Sequence, residues 1–468
     1  MNESPVNFAP RLRARERVVV HVDSPSARWI GALAVLSLFC WLIISLARDR
    51  HHPDWQADGR LAGSLTIFAA VALIARGIFL GRPVTAVHAW LAMVALMAGL
   101  AAHVLVYDLP GNLLIVAAGG MLMWPTTARP NPAELPRVWA LIERTTGDPL
   151  APFAMQPSKC YHFNAERSAA IAYRSRLGYA VVSGDPLGDE TRFPELVAEF
   201  ATMCHSRGWR MVVLGCSERR LDLWNDATLL GQSLTAVPIG RDVVIDVAAF
   251  EMVGRKYRNL RQAVQRTKNF GITTEVVAEQ GLDDQLLAEL TEVLLASPSG
   301  ARTERGFSMC LDGALEGRYP GVQLIIARDR DGRVQGFHRY ATAGQGSEVT
   351  LDVPWRRRGA PNGLDERLSV DMIGWAKEQG AKRLSLAFAA FPEIFNDKNR
   401  GKVSSLIYLA IHLGDPLIAL ESLYRYLRKF HALGDRRYVM ATLTQVLPLL
   451  VVLLSLEFVP RRRRLDTL

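Results

Sequence analysis

Apolar residues are spread unevenly along this chain. They crowd into its first quarter and its last thirty or so residues, and in between they recur at short periods. Residues 29–47 run almost without charge and are not followed by a small-residue cleavage site, so the pattern predicts a retained membrane helix rather than a removed signal peptide. Residues 61–80 and 84–106 predict two more spans, separated by Gly81-Arg82-Pro83. Residues 111–124 give a fourth helix, shorter than the roughly 20 residues a span ordinarily needs. Arg11, Arg13, Arg15 and Arg17 before the first span place the N-terminus in the cytoplasm, and Arg82 and Arg129 return there after the second and fourth. A plain anchor fits these helices better than a transport path, because ionisable residues within them are few; His88 and His103 read as interfacial or packing residues.

Beyond residue 125 the period changes. Residues 126–136 predict a linker and 137–145 a short helix. Residues 169–173 and 178–183 form a hairpin, 193–205 an amphipathic helix, 209–214 a strand, 218–227 a helix, and 233–239 and 243–247 two strands. A basic helix then opens a second series, followed by a helix at 286–295, a hairpin of 322–327 with 334–340, a strand at 348–353, a helix from 364 and a strand at 382–388. Strand, hairpin, strand, loop, helix, strand is the order of a GNAT-type acyltransferase, and the preceding half is similar in outline. The predicted architecture is therefore α/β, a tandem GNAT-like acyltransferase domain preceded by a small α-helical transmembrane region. Its expected boundaries are a basic tail at 1–28, transmembrane helices at 29–125, a linker at 126–157, GNAT-like units at 158–250 and 251–446, and an interfacial helix with a basic tail at 447–468. Residues 417–430 predict a further amphipathic helix suited to a membrane surface.

An excess of 55 Lys and Arg over 46 acids suits a polyanion, either nucleic acid or acidic lipid. Five isolated cysteines, with no CxxC pair, argue against zinc and against a disulfide framework.

The stretch from Glu348 to Lys377 concentrates the candidate chemistry. Its strand leads through Arg356, Arg357, Arg358, Gly359, Pro361, Asn362 and Gly363 into a helix N-terminus. Such a turn suits an anion or a developing oxyanion, and an ordinary crossover bend is the other reading. Asp352, near the end of the strand, can hold an ammonium or accept a proton, or cap the turn. Arg356, Arg357 and Arg358 can grip phosphate through forked guanidinium contacts. On the basic helix, Arg255, Lys256, Arg258, Arg261, Arg266 and Lys268 gather cations on one face while Leu260 and Val264 mark another, as expected of a helix that tracks RNA or lipid phosphates, or of a merely soluble face. Asp185 and Asp189 in GDPLGD read better as turn-closing residues than as ligands, and His338 is either a base or, the better reading, a satisfied strand histidine.

Several stretches together resemble the C-terminal synthase domain of the multiple peptide resistance factor family, the aminoacyl-phosphatidylglycerol synthases. They are Gly184-Asp185-Pro186 with Gly188-Asp189, the run 256–271 containing Asn259-Leu260-Arg261, Gly306-Phe307-Ser308, Asp352, Ala360-Pro361-Asn362-Gly363, Trp375-Ala376 and Arg437-Tyr438. The resemblance implies transfer of an amino acid from aminoacyl-tRNA to phosphatidylglycerol at the cytoplasmic face of the cell membrane, with no metal or other cofactor. It also implies catalytic roles for Asp352 and Arg356 and substrate contacts from Asp185, Ser308, Arg357, Arg358, Asn362 and Gly363. Two departures stand out: Trp355 occupies a position where the family commonly has arginine, and there are too few helices for the family's large lipid flippase. Two rival readings remain at this stage. One is a GNAT-type enzyme using acyl-coenzyme A, for which Pro361 removes a needed N–H. The other is a non-catalytic tRNA- or lipid-binding module.

Overall fold

The structure, a computed structural model, describes residues 18–20, 25–49, 56–297, 303–304, 306–390, 423–442, 446–457 and 461–462. It divides into two compact units. The first holds the N-terminal helices: α1 (Pro25–Asp49), α2 (Gln56–Phe79), α3 (Ala86–Val104) and α4 (Asp108–Leu122). A short strand β1 (Val18–Val20) pairs with β2 (Val84–Thr85) just before α3. Three of the helices are long and apolar enough to cross a membrane, over Ser26–Ile44, Ala62–Phe79 and Ala86–Val104; α4 is shorter. Trp29, Trp90 and Leu109 point outward, as lipid-facing side chains would. Small residues let the backbones meet: a Cβ on Gly99 would lie 3.0 Å from the Gly111 carbonyl, and one on Gly119 would lie 2.7 Å from that of Ala70.

The same unit takes in Ser175–Ala180 and Ala198–Met211. There Trp209 Nε1 donates to the Thr126 carbonyl at 2.8 Å, and the Ala128 N–H donates to Ser175 Oγ at 2.5 Å. Gly208 lies so close to the Gly81-Arg82 turn that a Cβ would stand 2.7 Å from the Gly81 carbonyl.

Most of the second unit is built on one sheet. Its strands are β3 (Cys160–Phe163), β4 (Ala169–Arg176), β5 (Tyr179–Ser183), β6 (Leu187–Gly188), β7 (Arg210–Ser217), β8 (Thr235–Asp246), β9 (Thr273–Ala278), β11 (Val322–Arg328), β12 (Val334–Ala343), β13 (Glu348–Arg356), β14 (Arg383–Ala390) and β15 (Leu433–Ala441). A separate two-residue strand β10 (Thr303–Glu304) pairs with β16 (Arg461–Arg462). The helices after α4 are α5 (Leu135–Ile142), α6 (Phe193–Ser206), α7 (Ala227–Leu230), α8 (Arg258–Asn269), α9 (Asp284–Ala296), α10 (Leu364–Glu378) and α11 (Val446–Glu457), of which α6 from Ala198 onward belongs to the first unit. The sheet runs β3-β4-β5-β7-β15-β8-β14-β13-β12-β11-β9, with β6 beside β4. Hairpin, helix, strand occurs twice, as β4-β5-α6-β7 and as β12-β13-α10-β14, which is the tandem GNAT-like arrangement. The halves interlock: β15, last in the chain, is inserted between β7 and β8, and β8 pairs onward with β14.

Four expectations need correction. The two strands expected within 233–247 are one, β8 (Thr235–Asp246), because β14 and β15 hold it extended through Gly240. Residues 135–155 do not link but bury Val138, Leu141, Ile142 and Phe153 against Tyr161, Ala170 and Ala341. The helix expected at 417–430 begins outside the described residues, and its described end buries Tyr424, Leu427 and Phe430 in the core with α8 and α10 instead of resting on a membrane. The strand at 348–353 continues through Trp355 to Arg356.

Candidate functional site

The site grows from an irregularity in β13. Tyr340 pairs with Leu351 and Arg339 with Val353, so Asp352 is the extra residue of a β-bulge. β13 runs parallel to β14 only over Glu348–Thr350, so the bulge comes just after that pairing ends. Asp352 accepts a hydrogen bond from the Leu311 N–H at 3.1 Å and one from Arg339 Nη1 at 2.8 Å. Arg339 also donates to Glu279 at 2.8 Å, and Glu279 accepts from the Leu315 N–H at 2.6 Å. Burial pushes the Asp352 carboxyl up to about 6, against the pull of Arg339. Both oxygens are engaged and the side chain has no exposed surface, so Asp352 as described does not face a substrate. This corrects its expected catalytic role: its chemistry here is to fasten the segment Leu311 to Leu315.

That segment continues from Gly306-Phe307-Ser308. Gln156 Nε2 donates to the carbonyls of Gly306 and Cys310 at 2.8 and 2.9 Å. Lys159, almost wholly buried, donates to the Phe153 carbonyl and to Ser183 Oγ, and its ammonium lies 5.1 Å from the centre of the Phe307 ring. Ser308, expected to contact substrate, is buried within this braced loop.

The arginine turn divides its labour. Arg357 is structural: Nε donates to the Val334 carbonyl at 2.7 Å and Nη1 to Glu292 at 2.6 Å. Arg356 is half-exposed and lies 3.3 Å from Asp365. Arg358 and Asn362 are exposed. The N-terminus of α10 carries its own anions, Asp365 and Glu366, in the first turn, where they complement the helix dipole. Asp365 pairs with His338 Nε2 at 3.2 Å, and Glu366 pairs with Lys429. Burial raises the Asp365 carboxyl, but the His338 hydrogen bond and the charges of Arg356 and Lys429 bring it below its ordinary value. The expected anion site on the helix dipole itself is therefore occupied from within, and what remains for a phosphate is the outer side of the turn.

Gly363 makes the next connection. Its φ of 101° needs glycine, and a Cβ there would lie 2.8 Å from the Ala263 carbonyl on α8. The helix bearing the cations thus meets the arginine turn backbone to backbone. On α8 and the short turn before it, Leu260, Ala263, Val264 and Thr267 are buried while Arg255, Lys256, Arg258, Arg261, Arg266 and Lys268 are exposed. Arg261 is partly engaged, donating to the Met252 and Gly254 carbonyls at 2.7 and 2.8 Å.

The family described as phosphatidylglycerol lysyltransferase, C-terminal, matches residues 139–441. The chain belongs to this family. It is 68% identical over 459 residues to the MprF-like domain protein Rv1619 of Mycobacterium tuberculosis, covering 98% of this chain and 95% of that protein. It is 31% identical over 261 residues to the lysylphosphatidylglycerol biosynthesis bifunctional protein LysX of Rhodococcus jostii, where it covers 56% of this chain and 23% of the relative's length. The solved structure of L-PGS from Bacillus licheniformis shares the fold, with a TM-score of 0.59 at 20% identity over 70% of this chain and 97% of that one.

Within this family member, Trp355 is a core residue. Its ring stacks on Phe337 with centroids 5.0 Å apart, on the face covered by α9. The cation beside the strand aspartate comes instead from Arg339 on the next strand. Sequence reasoning missed Arg339, although the two-residue period of Phe337, Arg339 and Ala341 places it on a buried face. Asp185 likewise belongs to a second buried centre. It accepts the Ser217 N–H at 2.9 Å and lies 3.7 Å from Arg437, which also bonds Asp148 at 2.7 Å and Asp242 at 2.8 Å. Its expected substrate contact is corrected to a structural one, for it is 3% exposed.

Proposed function

We propose that the chain is a multi-pass membrane aminoacyltransferase, with its α/β part on the cytoplasmic side, that moves an amino acid from aminoacyl-tRNA to phosphatidylglycerol or a related lipid. One observation carries this reading beyond family membership: exposed cations from two elements, α8 and the Arg356–Gly363 turn, are clamped together at Gly363. Such a surface suits a polyanionic RNA end. In the transfer, a lipid hydroxyl oxygen attacks the aminoacyl ester carbonyl, its proton passes to a base, and the ribose oxygen of the tRNA leaves and takes up a proton. One ester replaces another, so no redox partner is required. Arg356, Arg358 and Asn362 are the accessible donors for phosphate or for the oxyanion, and Asp352 positions the Ser308 loop.

The test incubates membranes containing the protein with labelled aminoacyl-tRNAs and, separately, with labelled acetyl-coenzyme A. Labelled lipid from tRNA alone supports the proposal; label from the coenzyme alone, or tRNA binding without product, overturns it. Replacing Arg258, Arg266 and Lys268 together by Gln should weaken tRNA binding and reduce the slope of log affinity against log salt by about 2 to 3, near one per lost phosphate contact.

A further inference from the structure

The first unit contains a cluster of cations that the transfer reaction does not use. Arg82 lies in the turn after α2, half-buried. Its Nη1 donates to the Met123 carbonyl at 3.1 Å, and its Nε is buried without a partner among the described residues. Its other nitrogen sits against the β4–β5 turn, where a Cβ on Gly178 would be 3.3 Å away. Arg210, at the start of β7, is fixed at the same turn, its N–H donating to the Gly178 carbonyl at 2.9 Å, and Arg76 lies in the last turn of α2. Arg82 is held below its ordinary pKa, first by burial and then by the charges of Arg76 and Arg210. The same three guanidinium groups act on the Tyr179 phenol. Among the described residues no carboxylate pairs with Arg76, Arg82 or Arg210.

Three cations gathered at the end of a membrane-crossing helix, one of them with an orphaned buried N–H, repel one another unless an anion sits among them. We propose that Arg76, Arg82, Arg210 and Tyr179 form a binding site for the phosphodiester of an anionic phospholipid, held as a fixed lipid rather than consumed as substrate. The depth fits a headgroup: the span of α2 ends at Phe79, and the exposed Phe79 ring offers an apolar surface beside it for acyl chains. Forked guanidinium donors and a phenol hydroxyl supply the contacts a phosphate needs. The site goes beyond the transfer reaction and does not depend on it.

The test uses the full chain in detergent, analysed by native mass spectrometry with added phosphatidylglycerol, phosphatidylcholine or inorganic phosphate. The expected result is retention of phosphatidylglycerol under activation that strips phosphatidylcholine, with inorganic phosphate unable to displace it. Arg82→Gln and Arg210→Gln should each lower the retained anionic lipid at least fivefold. Because Arg82 also holds the Met123 carbonyl, Arg210→Gln and Tyr179→Phe keep the test sound should the Arg82 variant fail to fold. Equal retention of the two lipids, or undiminished retention in both Arg210→Gln and Tyr179→Phe, overturns the site. Displacement by inorganic phosphate overturns the lipid and leaves a free anion. Lipid retention is read without turnover, so failure here differs visibly from failure of the transferase reading.

Discussion

The second unit contains two buried arginine centres that share a plan and differ in charge balance. Arg339 on β12 faces two carboxylates, Asp352 and Glu279; Arg437 on β15 faces three, Asp148, Asp242 and Asp185. Each carboxylate set ties loops by accepting backbone N–H groups. The first secures Leu311 and Leu315, beside the loop that carries Ser308. The second secures Leu150 and Ser217, and through Arg437 it pins β15 between β7 and β8. One centre therefore braces a loop near the candidate site, and the other locks the joint by which the two halves interlock. A single guanidinium cannot neutralise three buried carboxylates, so the second centre carries the larger excess of negative charge and the stronger demand for a proton.

Removing the cations should give the largest effects. Arg437→Met leaves three carboxylates facing one another at the joint, and breaking a buried pair in this way costs on the order of 3–5 kcal/mol. Denaturant unfolding of the full chain in detergent should show loss of the cooperative transition or a midpoint far below the parent's. Arg339→Met should cost less stability but more function: the chain still folds, and labelled-lipid formation falls at least tenfold because the Ser308 loop is released. Arg339→Lys should recover stability better than activity, since an ammonium cannot make the same forked contact to Asp352 and Glu279. If Arg339→Met unfolds the chain more completely than Arg437→Met, the assignment of loop and joint is reversed.

Arg437 stood out in the sequence only as part of the family resemblance and Arg339 not at all, and the reason is physical. The elements were legible because apolar residues keep a helical or two-residue period: α6, α8, α9 and α10, the two hairpins and β14 lie where the pattern predicts them. Arg339 lies in the apolar phase of β12, with Phe337 and Ala341, and Asp352 in the polar phase of β13, so a two-residue period alone buries one and exposes the other. Here the sheet is covered on both faces, so Asp352 and Arg339 are buried along with their apolar neighbours. Asp352 was singled out, but its partner across the bulge depends on strand register, which a single sequence leaves open. A last strand was expected at 438–446, overlapping β15, but its insertion between β7 and β8 was not, because strand order is a long-range property that local pattern does not encode. The first turn of α10 was readable in principle: Asp365 and Glu366 directly follow Gly363-Leu364 and already signal a helix N-terminus supplied with its own anions.

The carboxylates should respond to pH in the direction set by burial. Asp242 and Asp352 are both pushed up to about 6, first by desolvation and against the pull of Arg437 and Arg339 respectively. Because their folded pKa lies above the unfolded value, the folded state binds more protons than the unfolded one between about pH 4 and 6. Stability from these groups is therefore fully present at low pH and is lost as pH rises through 6. A shift of about two units corresponds to roughly 3 kcal/mol for one such group. Unfolding midpoints measured between pH 7.5 and 5 should accordingly rise as pH falls, and Asp242→Asn should flatten that rise while Asp352→Asn flattens it together with a loss of lipid product. A midpoint that stays flat from pH 7.5 to 5 would mean that both centres are fully ionised pairs, whose stability is lost only below about pH 4.

The smallest effect is expected at Asp185, and it separates the two centres most finely. Its carboxyl is pushed up first by burial and next by Asp148, and it lies 3.7 Å from Arg437, too far for a hydrogen bond. In Asp185→Asn the amide oxygen can still accept the Ser217 N–H, while one negative charge leaves an overloaded site. At pH 7 the variant should unfold within about 1 kcal/mol of the parent, because loss of a long ion-pair contact is offset by relief of repulsion. Its KM for the acceptor lipid of the proposed reaction should stay unchanged, as befits a side chain buried against the Ser217 N–H. A loss above 3 kcal/mol would identify Asp185 as an ionised partner that Arg437 needs, and would make the two centres alike; a raised KM in a folded variant would return Asp185 to the substrate.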